Sequence, residues 1–168
     1  MTNGTPNVIG LDLGTTTGLS ARFGADVLTT SFRLATPKEC GKSVRSVNDP
    51  RFRRLRERVA AVIARAPVET PLTVAWEDVQ FVSTAYQYAL WVTLRAAVWA
   101  AIDDSARVIR RLAVPVGTLK KFATGSGAAD KDRMRIAAER RGYLGPNHGL
   151  DDNAVDALWV ALWALEQR

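Results

Sequence analysis

The short apolar run at residues 8–13 carries one aspartate, Asp12, and this limits the structures in which the run can be buried. Its length and its β-branched start predict a buried β-strand. A carboxylate at a buried position is costly unless it is paired with a cation or bound to a metal. A second apolar run, residues 72–76, is followed directly by Glu77. The two runs therefore predict a sheet in which two buried strands each carry a carboxylate at the end.

The rest of the pattern predicts the order β-β-β-α-β-α-β-α-α. Glycine-containing turns join the first three strands as antiparallel neighbours, whereas the later strands need helical crossovers. We therefore expect an α/β fold with a five-stranded mixed sheet and helices on both faces, as one domain over residues 1–168. The strands are predicted at 8–13, 19–23, 27–34, 72–77 and 107–114, and the helices at 50–65, 85–102, 130–141 and 152–165, with a short helix at 118–122. Residues 35–48 show no clear hydrophobic periodicity, so we predict a mobile basic loop there.

Composition excludes several classes of protein. Hydrophobic residues make up 47% and charged residues 24% of the 168 residues, which is typical of a soluble globular domain. Cys40 is the single cysteine, so neither an internal disulfide nor a cysteine-based metal site is expected. No run is long and apolar enough to cross a membrane, and the N-terminus lacks the features of a signal peptide. We expect a cytoplasmic protein of a bacterium or of a phage-infected bacterial cell.

The positive charge is concentrated in two segments. The chain has 23 Lys and Arg against 17 Asp and Glu, a net charge of +6. Residues 42–65 contain 8 basic and 2 acidic residues, and residues 107–142 contain 10 basic and 3 acidic residues. Basic segments in a chain that also carries grouped carboxylates suggest a surface for a polyanion beside an acidic site. The alternative is that the arginines only solvate helix faces.

A third group of carboxylates opens the last predicted helix. Asp152 and Asp156 are four residues apart and share one face of that helix. Capping of the helix N-terminus accounts for Asp151 or Asp152, but it does not account for Asp156, which lies in an apolar run. Carboxylates that converge repel one another, and oxygen ligands suit Mg²⁺ or Mn²⁺. A pair of such ions promotes phosphoryl displacement, so these carboxylates beside basic segments indicate a nuclease.

Several segments in their order along the chain resemble the RuvC-like Holliday junction resolvases. They are residues 10–18 (GLDLGTTTG), 76–79 (WEDV), 116–121 (VGTLKK), 124–127 (TGSG) with Lys131, and 151–158 (DDNAVDAL). The resemblance covers nearly the whole chain. It implies the ribonuclease H-like fold, a homodimer, and symmetric cleavage of two strands of a four-way DNA junction. It also implies two Mg²⁺ ions in each active site, with Mn²⁺ as a substitute.

The resemblance assigns roles to individual residues. Asp12, Glu77 and Asp156 are implied as catalytic metal ligands. The fourth ligand of the family lies three residues before the last aspartate, where this chain has Asn153; we predict Asp152 in its place, with Asp151 as the alternative. The resemblance also implies residues that bind nucleic acid. Lys120, Lys121 and Lys131 match family lysines near the scissile phosphate, and Lys131 is also implied as catalytic. The other two implied nucleic-acid-binding residues are Arg133 and the aromatic Phe81.

The sequence thus predicts a metal-dependent, structure-selective DNA endonuclease that nicks four-way junctions in pairs and leaves 5′-phosphate and 3′-hydroxyl ends. Two alternatives stay open at this point. One is another ribonuclease H-like nuclease that acts on other branched DNA or on RNA–DNA hybrids. The other is a junction-binding module without cleavage activity, against which the presence of all three principal carboxylates argues.

Overall fold

The computed structural model describes residues 6–40, 49–79, 82–107, 109–145 and 148–167. Its five strands form one sheet in the order β3-β2-β1-β4-β5. The strands β1, β2 and β3 pair as antiparallel neighbours, whereas β4 is parallel to both β1 and β5. The five-stranded mixed sheet is therefore confirmed. The strands are β1 (Asn7–Asp12), β2 (Thr16–Phe23), β3 (Asp26–Arg33), β4 (Leu72–Asp78) and β5 (Ile109–Pro115).

Helices supply the crossovers that the parallel strands require. The two long helices α2 and α3 lie between β3 and β5 in the chain, and three further helices follow β5. They are α1 (Pro37–Cys40), α2 (Arg51–Arg65), α3 (Ala85–Asp103), α4 (Val116–Thr124), α5 (Lys131–Arg140) and α6 (Asp152–Glu166). Within the described ranges, no helix is long and apolar enough to pass through a membrane.

The two faces of the sheet bury separate hydrophobic clusters. Side chains alternate along a strand, so Ile9 and Leu11 of β1 point to one face and Val8 points to the other. The first face packs against α2 and α3, with Leu55 and Leu94 fully buried. The second face packs against α4, α5 and α6. The prediction of helices on both faces is thereby confirmed.

Four predictions about element limits need correction. The second strand begins at Thr16 rather than at residue 19, since residues 16–18 also pair with β3. The last strand begins at Ile109 rather than at residue 107, because the Arg107 guanidinium instead donates hydrogen bonds to carbonyls at the end of α2, including that of Ala66 at 2.9 Å. The predicted helix 118–122 extends in both directions to form α4. Within the predicted loop 35–48, residues 37–40 form α1, while residues 41–48 lie outside the described ranges.

Helix α6 lies directly against β1 and β2 because two glycines leave room for it. A Cβ atom on Gly10 would lie 2.4 Å from the backbone nitrogen of Ala161, and one on Gly18 would lie 1.8 Å from the carbonyl oxygen of Asn153. Gly18 is also the antiparallel partner of Asp12. The missing side chain at Gly18 therefore sets how closely the first turn of α6 approaches the end of β1.

We predict that Gly18→Ala destabilises the fold, because the new methyl group overlaps the backbone of α6 and forces the helix away from the sheet. The expected loss is about 3 kcal/mol in the free energy of unfolding. Urea unfolding followed by circular dichroism measures it. Gly145→Ala is the control, because a Cβ atom there meets no atom within 4 Å. Equal stability of the two variants would contradict the packing argument.

Candidate active site

Two acidic side chains leave adjacent strands at the same edge of the sheet. Leu11 of β1 is the parallel partner of Trp76 of β4, so Asp12 and Glu77 follow at neighbouring positions. Both point to the face that packs against α6, because Leu11 and Trp76 are buried in the cluster on the opposite face. The carboxyl ends of parallel strands thus bring together two acids that are far apart in the sequence.

The first turn of α6 completes the acidic group. Asp151 is the N-cap residue: its carboxylate accepts a hydrogen bond from the backbone N–H of Ala154 at 2.9 Å. The same carboxylate accepts a hydrogen bond from the Ser31 hydroxyl of β3 at 2.7 Å. These bonds lower the pKa of Asp151 by more than its partial burial raises it. Asp151 therefore has a structural role, and it orients the helix turn that carries Asn153 and Asp156.

The side chains meet in a pocket of about 310 Å³, which we call the acidic pocket. Carboxyl groups, an amide and two ammonium groups line it together. Its polar lining residues are Asp12, Glu77, Asn153, Asp156, Lys120 and Lys131. The structure thus brings residues from β1, β4, α4, α5 and α6 to one place.

Burial and mutual repulsion make the carboxylates unusually weak acids. The pKa of Asp12 is raised to about 8, first by burial and then by the charges of Glu77 and Asp156. The pKa of Glu77 is raised to about 7 by burial and by the charge of Asp156. Burial also raises the pKa of Asp156. The surroundings therefore do not stabilise the negative charge of all three carboxylates at neutral pH, where Asp12 stays largely protonated in the absence of a cation.

Two lysines partly compensate this charge. The Nζ atom of Lys131 lies 3.5 Å from the Oδ2 atom of Asp156. Burial lowers the pKa of Lys131, but the charges of Asp156, Asp12 and Asp152 more than offset that effect and raise it overall. The charge of Lys120 acts on Glu77 and Asp156 and lowers the pKa of both carboxyls. The two lysines thus bring positive charge to a pocket that carboxyl groups also line.

The donor set suits a divalent cation that prefers oxygen ligands. In the described part of the chain, no group of three or more His, Cys, Asp or Glu side chains is arranged to hold a metal ion as it stands. The chemistry of the pocket nevertheless fits such an ion, since three carboxylates repel one another there and a divalent cation relieves that repulsion.

The other predicted residues occupy different places. Asp152 accepts a hydrogen bond from Arg135 at 2.6 Å and is not among the residues that line the acidic pocket, whereas Asn153 is. Lys121 and Arg133 are exposed outside the pocket. Phe81 lies outside the described residues. The roles of Asp152, Lys121, Arg133 and Phe81 therefore stay predictions.

Sequence reasoning missed one buried group beside the site. Arg51, at the start of α2, is 1% exposed and forms an ion pair with Asp49. It also donates hydrogen bonds to the Thr15 hydroxyl at 3.1 Å and to the Tyr86 hydroxyl at 3.2 Å. Thr15 lies in the turn that follows Asp12, so this network fixes that turn against α2 and α3. No local pattern distinguishes Arg51 from the exposed arginines that follow it.

The two basic segments of the sequence differ in the structure. In α2, four arginines form ion pairs. Arg51 pairs with Asp49, Arg53 with Glu57, Arg54 with Glu39 and Arg56 with Asp104. These pairs neutralise much of the first basic segment. The second segment contains the lysines of the acidic pocket and further arginines of α5. Within the described residues, four arginines of α2 are thus paired inside the fold, whereas Arg133, Arg140 and Arg141 of the second segment form no ion pair.

No protein-family model and no curated protein matches the chain. Solved structures, in contrast, do match the chain. RuvC of Thermus thermophilus is 24% identical, with a TM-score of 0.63 over 93% of this chain and 91% of that chain. RuvC of the same organism in complex with a Holliday junction substrate is also 24% identical, with a TM-score of 0.68 over 94% of this chain and 91% of that one.

A more distant structure has the same architecture. The yeast mitochondrial Holliday junction resolvase Ydc2 is 11% identical, with a TM-score of 0.58 over 96% of this chain and 78% of that chain. These similarities confirm that the chain has the ribonuclease H-like fold. Within that fold it is similar to the RuvC-like resolvases, as its motifs indicate.

We predict that the metal-free protein loses stability as the pH rises from about 5 to about 8. The pKa values of Asp12 and Glu77 are about 8 and 7 in the fold, against ordinary values of 3.8 and 4.5. The folded state therefore binds more protons than the unfolded state in this window, and each step up in pH favours unfolding. Urea unfolding in the presence of a chelator measures the effect.

Asp12→Asn removes the more strongly shifted carboxyl, so its stability should depend less on pH. Asp26→Asn is the control, because Asp26 is exposed at the start of β3. Addition of Mg²⁺ at about pH 8 should stabilise the wild type more than Asp12→Asn. The argument is wrong if the wild type and Asp12→Asn show the same pH dependence.

Proposed function

We propose that the protein is a metal-dependent, structure-selective DNA endonuclease that resolves four-way junctions by paired symmetric nicks. The observation that carries the proposal is the acidic pocket, in which Asp12, Glu77 and Asp156 face Lys120 and Lys131. Carboxylates can bind divalent cations, and ammonium groups can bind a phosphate. Phosphodiester hydrolysis needs both kinds of group side by side. We retain the prediction that residues 1–168 form a single nuclease domain.

Asp12, Glu77 and Asp156 would hold the metal. When bound, Mg²⁺ or Mn²⁺ would supply Lewis acidity and neutralise charge on the phosphodiester. Their attachment to strand ends and to a packed helix keeps them in fixed relative positions.

The lysines bind the substrate in this proposal. Lys131 and Lys120 place positive charge at the edge of the pocket, where they attract a phosphate group and stabilise the charge that develops on its oxygens. Water adds to phosphorus and the bond to the 3′ oxygen breaks. The water contributes one proton to the leaving oxygen, so the products are a 3′-hydroxyl and a 5′-phosphate that a ligase can rejoin.

We assign the fourth oxygen ligand to Asn153 in preference to Asp152. Asn153 lines the acidic pocket. Asp152 instead pairs with Arg135 at 2.6 Å. An amide oxygen is a suitable ligand for a hard cation and adds no negative charge to an already repulsive site.

Similarity of fold supports a four-way junction as the substrate. The solved complex of RuvC contains a Holliday junction, and the chain aligns with that protein over 94% of its length. Symmetric cleavage of two strands needs two active sites, and the described part of the chain contains one acidic pocket. We therefore propose that the active form is a homodimer. The alternatives are a nuclease for other branched DNA or hybrids and a non-cleaving binding module.

The first test is nicking of a labelled synthetic four-way junction with Mg²⁺ or Mn²⁺. We expect paired symmetric nicks with 5′-phosphate ends, and at least a hundredfold slower nicking by Asp12→Asn because a principal ligand is lost. Linear duplex and an RNA–DNA hybrid are the matched substrates. Preferential cleavage of the hybrid or of flaps would mean that the four-way junction is not the preferred substrate. Junction binding without cleavage under either metal would indicate a binding module.

A second test separates the two candidates for the fourth ligand. Asn153→Ala should slow nicking and raise the Mg²⁺ concentration needed for half-maximal rate, because an oxygen ligand is lost. Asp152→Asn should change that concentration little and should mainly weaken the contact with Arg135. A titration of nicking rate against Mg²⁺ measures both effects. If Asp152→Asn has the larger effect, the original prediction of Asp152 as the ligand is correct.

A further inference from the structure

We propose that Arg51 is a positioning residue for the acidic pocket: its guanidinium holds the turn after β1 in the conformation in which Asp12 binds a divalent cation. This inference rests on the proposed function, in which Asp12 is a metal ligand. Among the described residues, Arg51 is the only charged residue that is buried, with 1% of its surface exposed. It does not line the acidic pocket, so it acts on the pocket through other residues.

The guanidinium of Arg51 connects three separate segments of the chain. Its Nε atom donates to the Asp49 carboxylate at 2.9 Å, its Nη1 atom to the Thr15 hydroxyl at 3.1 Å and its Nη2 atom to the Tyr86 hydroxyl at 3.2 Å. Asp49 precedes α2, Thr15 lies in the turn after β1, and Tyr86 belongs to the first turn of α3. A guanidinium is planar and its donors have fixed directions, so these bonds fix the three segments relative to one another.

The turn after β1 carries the effect of Arg51 to Asp12. Asp12 is the last residue of β1, and it pairs with Gly18 of β2 but has no partner in β4. Three residues further on, Thr15 is held from two directions. The backbone N–H of Leu34 donates to its carbonyl at 2.8 Å, and Arg51 donates to its hydroxyl. Arg51 therefore supplies one of the bonds that tie the chain beyond Asp12 to the rest of the fold.

The burial of Arg51 points to a role in geometry and not only in stability. A buried ion pair stabilises a fold little, because the loss of hydration offsets most of the attraction between the charges. The hydrogen bond to Asp49 raises the pKa of Arg51, so the guanidinium stays charged although it is buried. Asp49 and Tyr86 thus hold a permanent donor in a fixed orientation, and that donor faces Thr15. An apolar side chain of the same size would fill the space but would leave the Thr15 hydroxyl without this bond.

Binding of Mn²⁺ alone to the full chain tests the inference without DNA. Thr15→Val removes the hydroxyl that Arg51 holds and keeps the size and the branching of the side chain. We expect Mn²⁺ to bind this variant about tenfold more weakly, which is the lower end of the effect of groups that orient metal ligands. Thr15→Ser keeps the hydroxyl and should bind Mn²⁺ within about twofold of the wild type. Electron paramagnetic resonance of free Mn²⁺ measures the affinity.

Thr29→Val is the matched control. The Thr29 hydroxyl forms a hydrogen bond with the Ser20 hydroxyl at 2.9 Å, so this variant also loses one side-chain bond of a partly buried threonine. Ser20 pairs with Gly10 in β1, two positions before Asp12. The control should bind Mn²⁺ as the wild type does. Wild-type affinity in Thr15→Val would overturn the inference, and so would an equal loss of affinity in Thr15→Val and Thr29→Val.

A double-mutant cycle tests whether Thr15 acts through Arg51. Arg51→Lys keeps the positive charge beside Asp49 but lacks the planar set of donors. It should weaken Mn²⁺ binding at least as much as Thr15→Val, and the two changes together should weaken it no further. A full additional loss in the double variant would overturn the inference. If circular dichroism shows that Arg51→Lys does not fold, Tyr86→Phe takes its place, and the effect of Thr15→Val should then be smaller than in the wild type.

Nicking of the four-way junction by the wild type decides the proposed function separately. If the wild type nicks junctions and Thr15→Val binds Mn²⁺ equally well, the proposed function stands and this inference is wrong. If the wild type cuts no junction but binds Mn²⁺ more tightly than Thr15→Val, this inference stands and the proposed function is wrong. Absence of Mn²⁺ binding by the wild type would overturn the inference.

Discussion

The contact between α6 and the strands β1 and β2 is the constraint on which the candidate site depends. Gly18 stands opposite Asp12 in the sheet, and the carbonyl oxygen of Asn153 occupies the space where a Cβ atom of Gly18 would be. Backbone therefore packs on backbone at the point where the helix begins. The N-cap bonds of Asp151 fix the same turn from the other side. Asp156, one turn further on, is thus held beside Asp12 by packing that involves neither carboxylate.

This arrangement places a repulsive site on a stable frame. Asp12, Glu77 and Asp156 are held together although burial and like charge raise the pKa of each of them. Carboxylates on a loop could move apart to relieve such repulsion. These carboxylates cannot, because they lie on two strand ends and on a helix that is packed in the core. The favourable packing of the core elsewhere offsets the cost. The fold therefore holds three carboxyl groups together although their own surroundings stabilise their negative charge only in part.

The sequence predicted the strands and the principal carboxylates because these signals are local. Asp12 and Glu77 are single acids in apolar runs, and parallel strands bring such positions to one edge of a sheet. The choice of a fourth ligand that we propose and the hydrogen-bond network of Arg51 depend instead on which partners lie nearby after folding. Asp152 and Asn153 are adjacent in the sequence and differ by the presence of Arg135 near one of them. Arg51 is one of several arginines in α2, and only its burial against Thr15 and Tyr86 distinguishes it.

The same dependence on partners explains why a count of charges does not locate a DNA-binding surface. The segment that includes α2 is nearly as basic as the segment that includes α4 and α5. Three of its arginines, however, pair with carboxylates from α1, α2 and the end of α3, so these three act within the fold: Arg53, Arg54 and Arg56. An exposed ion pair contributes little to stability, but it does satisfy the charge locally. Attraction for a polyanion is left to cations without such partners, and in the described part of the chain Arg133 and Arg140 meet that condition on the same helix that supplies Lys131 to the acidic pocket.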